Sequence, residues 1–183
     1  MNEKDIIQMV KDDEWMMNVL HEAEKLGLPD WMIGAGFLRN KVWDHLHGIV
    51  REVADTNDID LVYFDEKNLD EKGDEELSKN MSGVLGLDWE IVNQAYTHQW
   101  HHREIPYLNT TEALAEWVET ATSVAVTLVN KKPKIVAPHG INDLVNLIIK
   151  PSPTHKDQLD GFYKRIESKK WLEKWPKLKI MLD

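Results

Sequence analysis

The segment DIDLVYFD, residues 58–65, combines a strand-like apolar run with aspartates at both ends. The apolar, β-rich run of Ile59, Leu61, Val62, Tyr63 and Phe64 predicts a strand. Asp58 and Asp60 stand at its entrance, although aspartate is disfavoured in strands because its short carboxylate competes for backbone hydrogen bonds. The acidic face would carry Asp58, Asp60, Val62 and Phe64, and the opposite face Ile59, Leu61, Tyr63 and Asp65. Two acids on one face indicate either an exposed strand end or a cation site.

Two carboxylates placed this closely repel each other. Two residues of strand rise separate them by about 6.6 Å, and at an effective dielectric constant of about 20 the repulsion is on the order of 2.5 kcal/mol. A divalent cation bound between Asp58 and Asp60 would turn this repulsion into attraction. Mg²⁺ suits such a pair, because it keeps several waters and is held by one or two carboxylates together with substrate phosphates. By itself, the pair also fits two solvated acids without a ligand.

A glycine turn precedes this strand in the segment IGAGFLRN, residues 33–40. Gly34 and Gly36 separate a short apolar strand from a helix, where bare backbone can approach an anion and the N–H groups of the helix N-terminus point towards it. Arg39, in the first turn of that helix, is placed to bind a phosphate oxygen. Neither the Walker lysine pattern nor the six-residue Rossmann glycine fingerprint is present, so the turn alone also fits a tight connection.

The remaining pattern predicts helices and strands around a central sheet. Helices are predicted at 4–26, 38–53, 70–85, 141–150 and in the C-terminal segment anchored by Trp171 and Trp175, with a further helix in NTTEALAEW that is capped by Asn109 or Thr110 and by Glu112 reaching back. Strands are predicted at 31–33, 59–64, 88–92 and 123–129, the last of them ended by KKP at 131–133. The predicted fold class is α/β (α+β mixed), with a central mixed β-sheet flanked by helices. We expect one domain over 1–183.

In this order, IGAGFLRN, a helix and DIDLVYF resemble the nucleotidyltransferase signature of the DNA polymerase beta superfamily, which includes the CCA-adding enzymes. With WEIVNQAYTH, EALAEWVETATSVAV and WPKLKI, the chain is similar from about Trp31 to Ile180 to a family of small bacterial nucleotidyltransferase-like proteins. That family is a stand-alone version of the CCA-adding enzyme head domain, and its physiological substrate is generally unassigned. The resemblance implies the nucleotidyltransferase fold.

The resemblance also implies roles for particular residues. Metal ligands are implied at Asp58 and Asp60, with Mg²⁺ or Mn²⁺ as the ion, and nucleotide phosphates at Gly34, Ala35, Gly36 and Arg39. The superfamily usually adds a third acid on a neighbouring strand, a position that Glu90 matches. The recurring NQA…H stretch of the family corresponds to Asn93, Gln94 and His98, for which a substrate-side role and the capping of a strand end are both open. A long stretch between Gly36 and Asp58 suggests that the intervening helix is extended.

The implied function is metal-dependent transfer of a nucleoside monophosphate from a nucleoside triphosphate to an unknown acceptor, by the two-metal mechanism. The alternative is a non-catalytic nucleotide- or metal-binding protein that keeps the fold. A third interpretation is a regulatory partner that acts through the basic C-terminal segment, in which Lys164, Arg165, Lys169, Lys170, Lys174, Lys177 and Lys179 crowd together. The simpler reading of that segment is a solvated helix face.

Other candidate groups carry weaker signals. His98 and His102 have the helical spacing of a zinc pair, with His101 beside them, but the acidic partner of the metalloprotease motif is absent. Glu116 and Glu119 are predicted to be surface acids on a helix. The tryptophans are predicted to be core or stacking residues, and one of them could stack on a base: Trp15, Trp43, Trp117, Trp171 and Trp175.

Charge and composition limit the partners. The net charge of −10 disfavours tight binding to nucleic acid, because such binding depends on basic side chains that displace counterions. The chain has no cysteine, which leaves no thiol chemistry. Its acidic, amphipathic N-terminus lacks the pattern of a signal peptide and no apolar run approaches membrane-spanning length, so a cytoplasmic protein without membrane contact is expected.

Overall fold

The computed structural model describes residues 1–51, 53, 56, 58–100 and 103–182. Its helices are α1 (Glu3–Asp12), α2 (Glu14–Lys25), α3 (Gly36–His47), α4 (Glu71–Met81), α5 (Gln94–Thr97), α6 (Thr110–Ala115), α7 (Asn142–Val145), α8 (Leu159–Ser168) and α9 (Trp171–Lys174). Its strands are β1 (Met32–Ile33), β2 (Asp58–Tyr63), β3 (Asp88–Asn93), β4 (Ala125–Val129), β5 (Lys132–Val136), β6 (Ile148–Ile149) and β7 (Lys179–Ile180). The predicted mixed α/β class is confirmed.

Within the described residues, five strands form a mixed sheet in the order β3-β2-β1-β4-β5. The strands β2 and β3 run parallel, whereas the pairs β1–β2, β1–β4 and β4–β5 are antiparallel. A parallel pair needs a crossover connection, and α4 lies in the segment that joins β2 to β3 and packs on β3. The strands β6 and β7 form a separate parallel pair. The predicted central sheet flanked by helices is therefore the observed arrangement.

The two faces of the sheet are covered unequally. The larger hydrophobic cluster contains Ile59, Leu61 and Tyr63 of β2 together with residues of α1, α2 and α3. A smaller cluster on the other face contains Met32, Val62, Leu114 and Ala125. The predicted alternation of β2 is confirmed, because Val62 packs in the smaller cluster and its odd-numbered neighbours pack in the larger one. The face with the smaller cluster is the one that carries the two aspartates.

The predicted single helix over 4–26 is wrong, because the chain breaks at Asp13. This residue has extended backbone angles (φ −97°, ψ 103°), and its side chain caps α2 by accepting a hydrogen bond from Met16 N at 2.9 Å. Its carboxylate also pairs with Lys41 of α3. The apolar periodicity continues across the break, so the sequence pattern alone does not reveal it.

The predicted strand over 123–129 ends before KKP as expected, at Val129, but the chain does not leave the sheet there. The chain turns at Asn130 and Lys131, which have positive φ angles of 50° and 60°, the conformation of a tight hairpin turn. It then returns as β5, in which Pro133 pairs with Leu128. Proline is tolerated there because β5 is an edge strand of the sheet.

Two predicted helices are shorter than expected. Helix α3 ends at His47, where Gly48 takes the left-handed conformation (φ 71°), so the length between Gly36 and Asp58 does not come from an extended helix. Helix α7 ends at Val145, and Ile148–Ile149 instead forms β6.

Of the described residues in the C-terminal segment, Trp171 and Trp175 are 2 % and 1 % exposed and pack edge-on against Trp43, as predicted for core anchors.

Helix α6 shows the predicted cap at its N-terminus. The side chain of Asn109 accepts a hydrogen bond from Glu112 N at 2.8 Å. The Glu112 carboxylate reaches back one residue further than expected, because it accepts from Leu108 N at 2.8 Å. It also pairs with Arg103.

None of the helices in the described part of the chain has the length and apolar character needed to cross a bilayer.

Candidate active site

Three carboxylates meet on the lightly covered face of the sheet. Asp60 of β2 lies directly opposite Glu90 of β3 in the parallel register, and Asp58 lies two residues earlier on the same face of β2. One carboxylate oxygen from each residue lies within 4.8 Å of those of the other two. Asp58 and Asp60 are partly buried, whereas Glu90 is exposed. We call these three residues the acid triad.

The acid triad fits a hard divalent cation. It offers carboxylate oxygens only, which are the ligands that Mg²⁺ and Mn²⁺ prefer. Burial above all, and then the neighbouring charges of Asp58 and Glu90, raise the pKa of Asp60 from 3.8 to about 7, against a lowering by Arg39 and Arg165. A bound cation would favour the ionised form of this carboxyl. The site thus holds more negative charge than the protein alone accommodates well.

The raised pKa of Asp60 gives a testable pH dependence. In the unfolded chain this carboxyl ionises near its ordinary value of 3.8, and in the metal-free folded protein near 7. Its contribution to stability is therefore fully present below about pH 4, falls as the pH rises towards 7 and stays low above it. A shift of about three pKa units corresponds to up to about 4 kcal/mol.

We expect Asp60→Asn to remove this pH dependence. Urea unfolding in EDTA should give similar unfolding free energies for the two proteins at pH 4.5, and a more stable variant at pH 8. The comparison of the two proteins cancels the titration of groups that lie far from the acid triad. A difference between them that does not change with pH would contradict the assignment.

The glycine turn is attached to the acid triad through its backbone and through one threonine. Gly34 N donates to Asp60 O at 3.0 Å. A Cβ on Gly36 would lie 3.0 Å from Thr56 Oγ1, and this hydroxyl donates to the backbone oxygen of Asp58 at 2.8 Å. The turn and the acids are therefore adjacent. The sequence analysis treats them as parts of one site, and this adjacency is compatible with that interpretation.

Glycine often occurs in turns because it tolerates positive φ angles, but that is not its role here. The residue with positive φ is Ala35 (φ 50°), which is the N-cap of α3 and offers no side-chain cap. Gly34 and Gly36 are not in the positive-φ region. They provide space instead, because a Cβ on Gly34 would lie 2.7 Å from the Trp117 ring. The α3 N-terminus, with its positive dipole end, thus opens beside the acid triad.

Arg39 lies inside the protein rather than on its surface. It is 5 % exposed, and its guanidinium donates from Nη1 to Thr122 Oγ1 at 2.8 Å and from Nε to Asn40 Oδ1 at 3.1 Å. The guanidinium carbon also lies 4.4 Å from the centroid of the Trp171 ring. Burial lowers the pKa of Arg39 to about 10, against a raising by the charge of Glu119, so the side chain stays protonated at neutral pH.

The prediction that Glu119 is a surface acid is wrong. Helix α6 ends at Ala115, and Glu119 is fully buried next to a bridge to Pro151. Arg165 Nε of α8 lies 3.0 Å from Glu119 Oε1 and donates to Oε2 at 3.4 Å. The Arg165 side chain is 37 % exposed, and within the described residues its Nη groups make no hydrogen bond.

Arg165 is a site residue that the sequence analysis missed. It stood among the lysines of the C-terminal segment, and its charge acts on the Asp60 carboxyl together with that of Arg39. The only signal in the sequence is that it is an arginine in a segment rich in lysine, since arginine is preferred for buried ion pairs and for phosphate. Its partner Glu119 is distant in the sequence, so no local pattern connects them.

The remaining predicted residues have different surroundings. Asn93 is fully buried, and its amide bonds the backbone of Asp65 and Asn68, which is the role of a cap. Gln94 lines a pocket that begins at the acid triad. His98 is partly buried, and its Nδ1 lies 3.2 Å from Ala95 O. His101 and His102, which were weighed with His98 as candidate zinc ligands, lie outside the described residues.

A family of proteins described as nucleotidyltransferases matches residues 21–180. A comparison with curated protein sequences gave no match. Among solved structures, an NMR structure described as revealing a CCA-adding enzyme head domain is 27 % identical with a TM-score of 0.84, and the alignment covers 98 % of this chain and 96 % of that one.

Two structures of CCA-adding enzymes share the fold at lower identity. The complex with CTP is 16 % identical with a TM-score of 0.57 and is aligned over 99 % of this chain and 43 % of its own. The complex with ATP is 14 % identical with a TM-score of 0.57 and is aligned over 95 % of this chain and 42 % of its own. This chain thus spans less than half the length of these enzymes. The resemblance seen in the motifs is confirmed: the fold is that of the nucleotidyltransferases, and the chain belongs to that family.

Proposed function

We propose that this protein is a metal-dependent nucleotidyltransferase, which transfers a nucleoside monophosphate from a nucleoside triphosphate to an acceptor. The observation that carries this proposal is the convergence of three carboxylates at a glycine turn whose Gly34 N–H is bonded to Asp60 O. The nucleotides in the CCA-adding enzyme complexes, CTP and ATP, support a triphosphate as the substrate.

In the proposed site, Asp58 and Asp60 hold Mg²⁺ or Mn²⁺, and Glu90 is the third carboxylate. When bound, the metal supplies positive charge to the phosphates and to the attacking and leaving oxygens. Asp60 must give up its proton to act as a ligand, because its pKa in the metal-free protein is about 7. Thr56 holds the backbone of Asp58 and so orients the first acid.

The triphosphate is proposed to lie along the glycine turn, formed by Gly34, Ala35 and Gly36. Helix N-termini bind phosphate because their first N–H groups have no partner in the helix and carry about half a positive charge. Arg39 supports this position through its field, since its guanidinium is buried. Arg165 is better exposed and can donate from its Nη groups to a phosphate oxygen.

The chemistry needs no nucleophilic side chain. The acids and the turn would bind and orient the triphosphate, and Glu90, which is the exposed member of the triad, would hold the acceptor hydroxyl. The acceptor is open among protein side chains, small metabolites and RNA ends. The net charge of −10 favours an acceptor other than tightly bound nucleic acid.

The proposal is tested by titrating the four nucleoside triphosphates with and without Mg²⁺, followed residue by residue by NMR. Mg²⁺ alone should bind weakly, and each ligand should tighten the other by about tenfold or more, because the ion takes phosphate oxygens among its ligands. Shifts should cluster at Gly34–Arg39 and at Asp58–Asp60. Tight metal binding that is insensitive to nucleotide would contradict the proposal.

Pyrophosphate release separates the alternatives. A non-catalytic nucleotide-binding protein would bind triphosphate with little dependence on metal and would release no pyrophosphate. A regulatory partner that acts through the basic C-terminal segment would keep its binding after loss of Asp58 and Asp60, and that binding would weaken steeply with salt.

A further inference from the structure

A small pocket extends from the acid triad along the same face of the sheet. Asp60 and Glu90 form one end of it, and Val62 and Val92, the next outward residues of the two strands, continue it. Its volume is about 160 Å³, below the roughly 300–1,000 Å³ of pockets that enclose a whole drug-sized ligand. The pocket therefore has room for one ring system rather than for a complete nucleotide.

Trp100 forms part of the pocket and is unusually exposed for its size. Its side chain is 56 % exposed, yet its ring packs edge-on against Tyr96 at a centroid distance of 5.5 Å. Tyr96 is fixed in turn, because its hydroxyl donates to Asp74 Oδ2 at 2.7 Å. Trp100 thus presents a supported aromatic surface beside the pocket.

A second tryptophan, Trp117, lines the pocket from the side of the glycine turn. Its six-membered ring packs on Gly34 so closely that a Cβ at this position would lie 2.7 Å and 2.9 Å from two ring atoms. The ring also belongs to the small hydrophobic cluster with Val62 and Leu114. Its position is therefore set by the same turn that we assign to the triphosphate.

Two polar side chains complete the pocket. Gln94 and Thr97 are 6 % and 3 % exposed. Gln94 Nε2 donates to Val92 O at 3.3 Å, and Thr97 Oγ1 donates to Gln94 O at 3.2 Å and lies 3.3 Å from Gln94 Oε1. These bonds are long, and an amide has two donors and an acceptor with two lone pairs, so Gln94 can also bond the polar edge of a ligand.

We propose that this pocket, hereafter the aromatic pocket, binds a planar nitrogen heterocycle, such as a nucleobase, of a substrate of the nucleotidyl transfer proposed above. The two tryptophan rings line the pocket, where a heterocycle can stack on them, and Gln94 offers a hydrogen-bonding edge. The carboxylates of Asp60 and Glu90 at one end disfavour an anionic occupant. The ring belongs either to the incoming nucleotide or to the acceptor, since both could bring a heterocycle next to the acid triad.

The test uses 5-fluorotryptophan-labelled protein, whose eight tryptophans give separate ¹⁹F signals. Trp100→Phe and Trp117→Phe identify the two signals of the pocket. Metal-free protein is titrated with adenosine, cytidine, guanosine and uridine, and with ribose 5-phosphate as a control without a ring. We expect at least one nucleoside to shift both signals, Trp100→Ala to weaken its binding about tenfold, and Trp100→Phe to keep most of it.

The inference is overturned if no nucleoside shifts these signals, or if Trp100→Ala leaves the affinity unchanged. The source of the ring follows from a competition experiment with triphosphate and Mg²⁺ present. If the base of the triphosphate occupies the pocket, nucleoside binding weakens; if the pocket serves the acceptor, the nucleoside still binds.

Asp58→Asn separates this inference from the proposed function, because Asp58 does not line the pocket. The variant should lose metal-dependent triphosphate binding and keep nucleoside binding. Triphosphate binding without nucleoside binding in the unmodified protein would overturn the aromatic pocket alone.

Discussion

Replacing Asp58 or Asp60 by asparagine is expected to reduce Mg²⁺-dependent triphosphate binding and turnover by at least about a hundredfold, because each change removes a charged metal ligand while keeping the side-chain shape. Neither metal-free variant should be less stable than the unmodified protein at neutral pH, since one of several repelling carboxylates is lost, and Asp60→Asn should show the larger gain because burial raises the pKa of Asp60. Triphosphate affinity is measured by calorimetry with and without Mg²⁺, and stability by thermal unfolding in EDTA.

The matched control for these variants is Glu66→Gln. Glu66 is exposed in the acidic segment after β2, so the change removes one negative charge without touching the acid triad. It should leave both triphosphate binding and stability almost unchanged. If Asp58 and Asp60 were structural caps, their replacement would instead destabilise the protein by about 1–3 kcal/mol. A clear drop in melting temperature with nucleotide binding intact would refute the metal site.

Glu119→Gln is expected to destabilise the protein by about 1.5–3 kcal/mol, because it removes a fully buried carboxylate that pairs with the partly exposed Arg165. Glu119 is fully buried, and its loss would leave the positive charges of Arg39 and Arg165 without compensation at this position. The free energy of unfolding is obtained from urea denaturation near neutral pH. An effect this large would identify the pair as a main support for the arginines beside the acid triad.

Glu116→Gln is the matched control, since the same substitution three residues away affects a partly exposed pair. The side chains of Glu116 and Arg103 are 21 % and 29 % exposed, and such pairs contribute at most about 1 kcal/mol. The double variant Glu119→Gln/Arg165→Met should recover part of the stability, because the uncompensated charge of Arg165 is removed as well. Equal effects of Glu119→Gln and Glu116→Gln would contradict the importance of the buried pair.

Much of the acid triad could be predicted from local sequence. The alternation in DIDLVYFD places Asp58 and Asp60 on one face, and the strand DWEIV places Glu90 opposite the side of Trp89 and Ile91. Their meeting follows once β2 and β3 pair in parallel. The register itself was not predictable from the pattern, since it depends on how α4 crosses between the strands.

The parts that the sequence did not reveal depend on contacts between distant residues or on competing local rules. Asp13 interrupts a continuous helical period because its side chain caps the next helix. Pro133 indicates where β4 ends, but its place in a further strand depends on the edge position of β5, which the pattern does not reveal. Helical spacing predicts an exposed helix face for Glu119, but the helix ends at Ala115 and the partner of Glu119, Arg165, comes from another helix.

The direct pairing of Asp60 with Glu90 has a consequence for how this protein can tolerate insertions. Side chains alternate along a strand, so one residue inserted into β3 between Asp88 and Trp89 would turn the Glu90 carboxylate towards the larger hydrophobic cluster and bring Trp89 to the acidic face. Insertions in the connection before β3 leave the register free to re-form. The site therefore tolerates changes of length in the connection before β3. It does not tolerate a single residue inserted within β3.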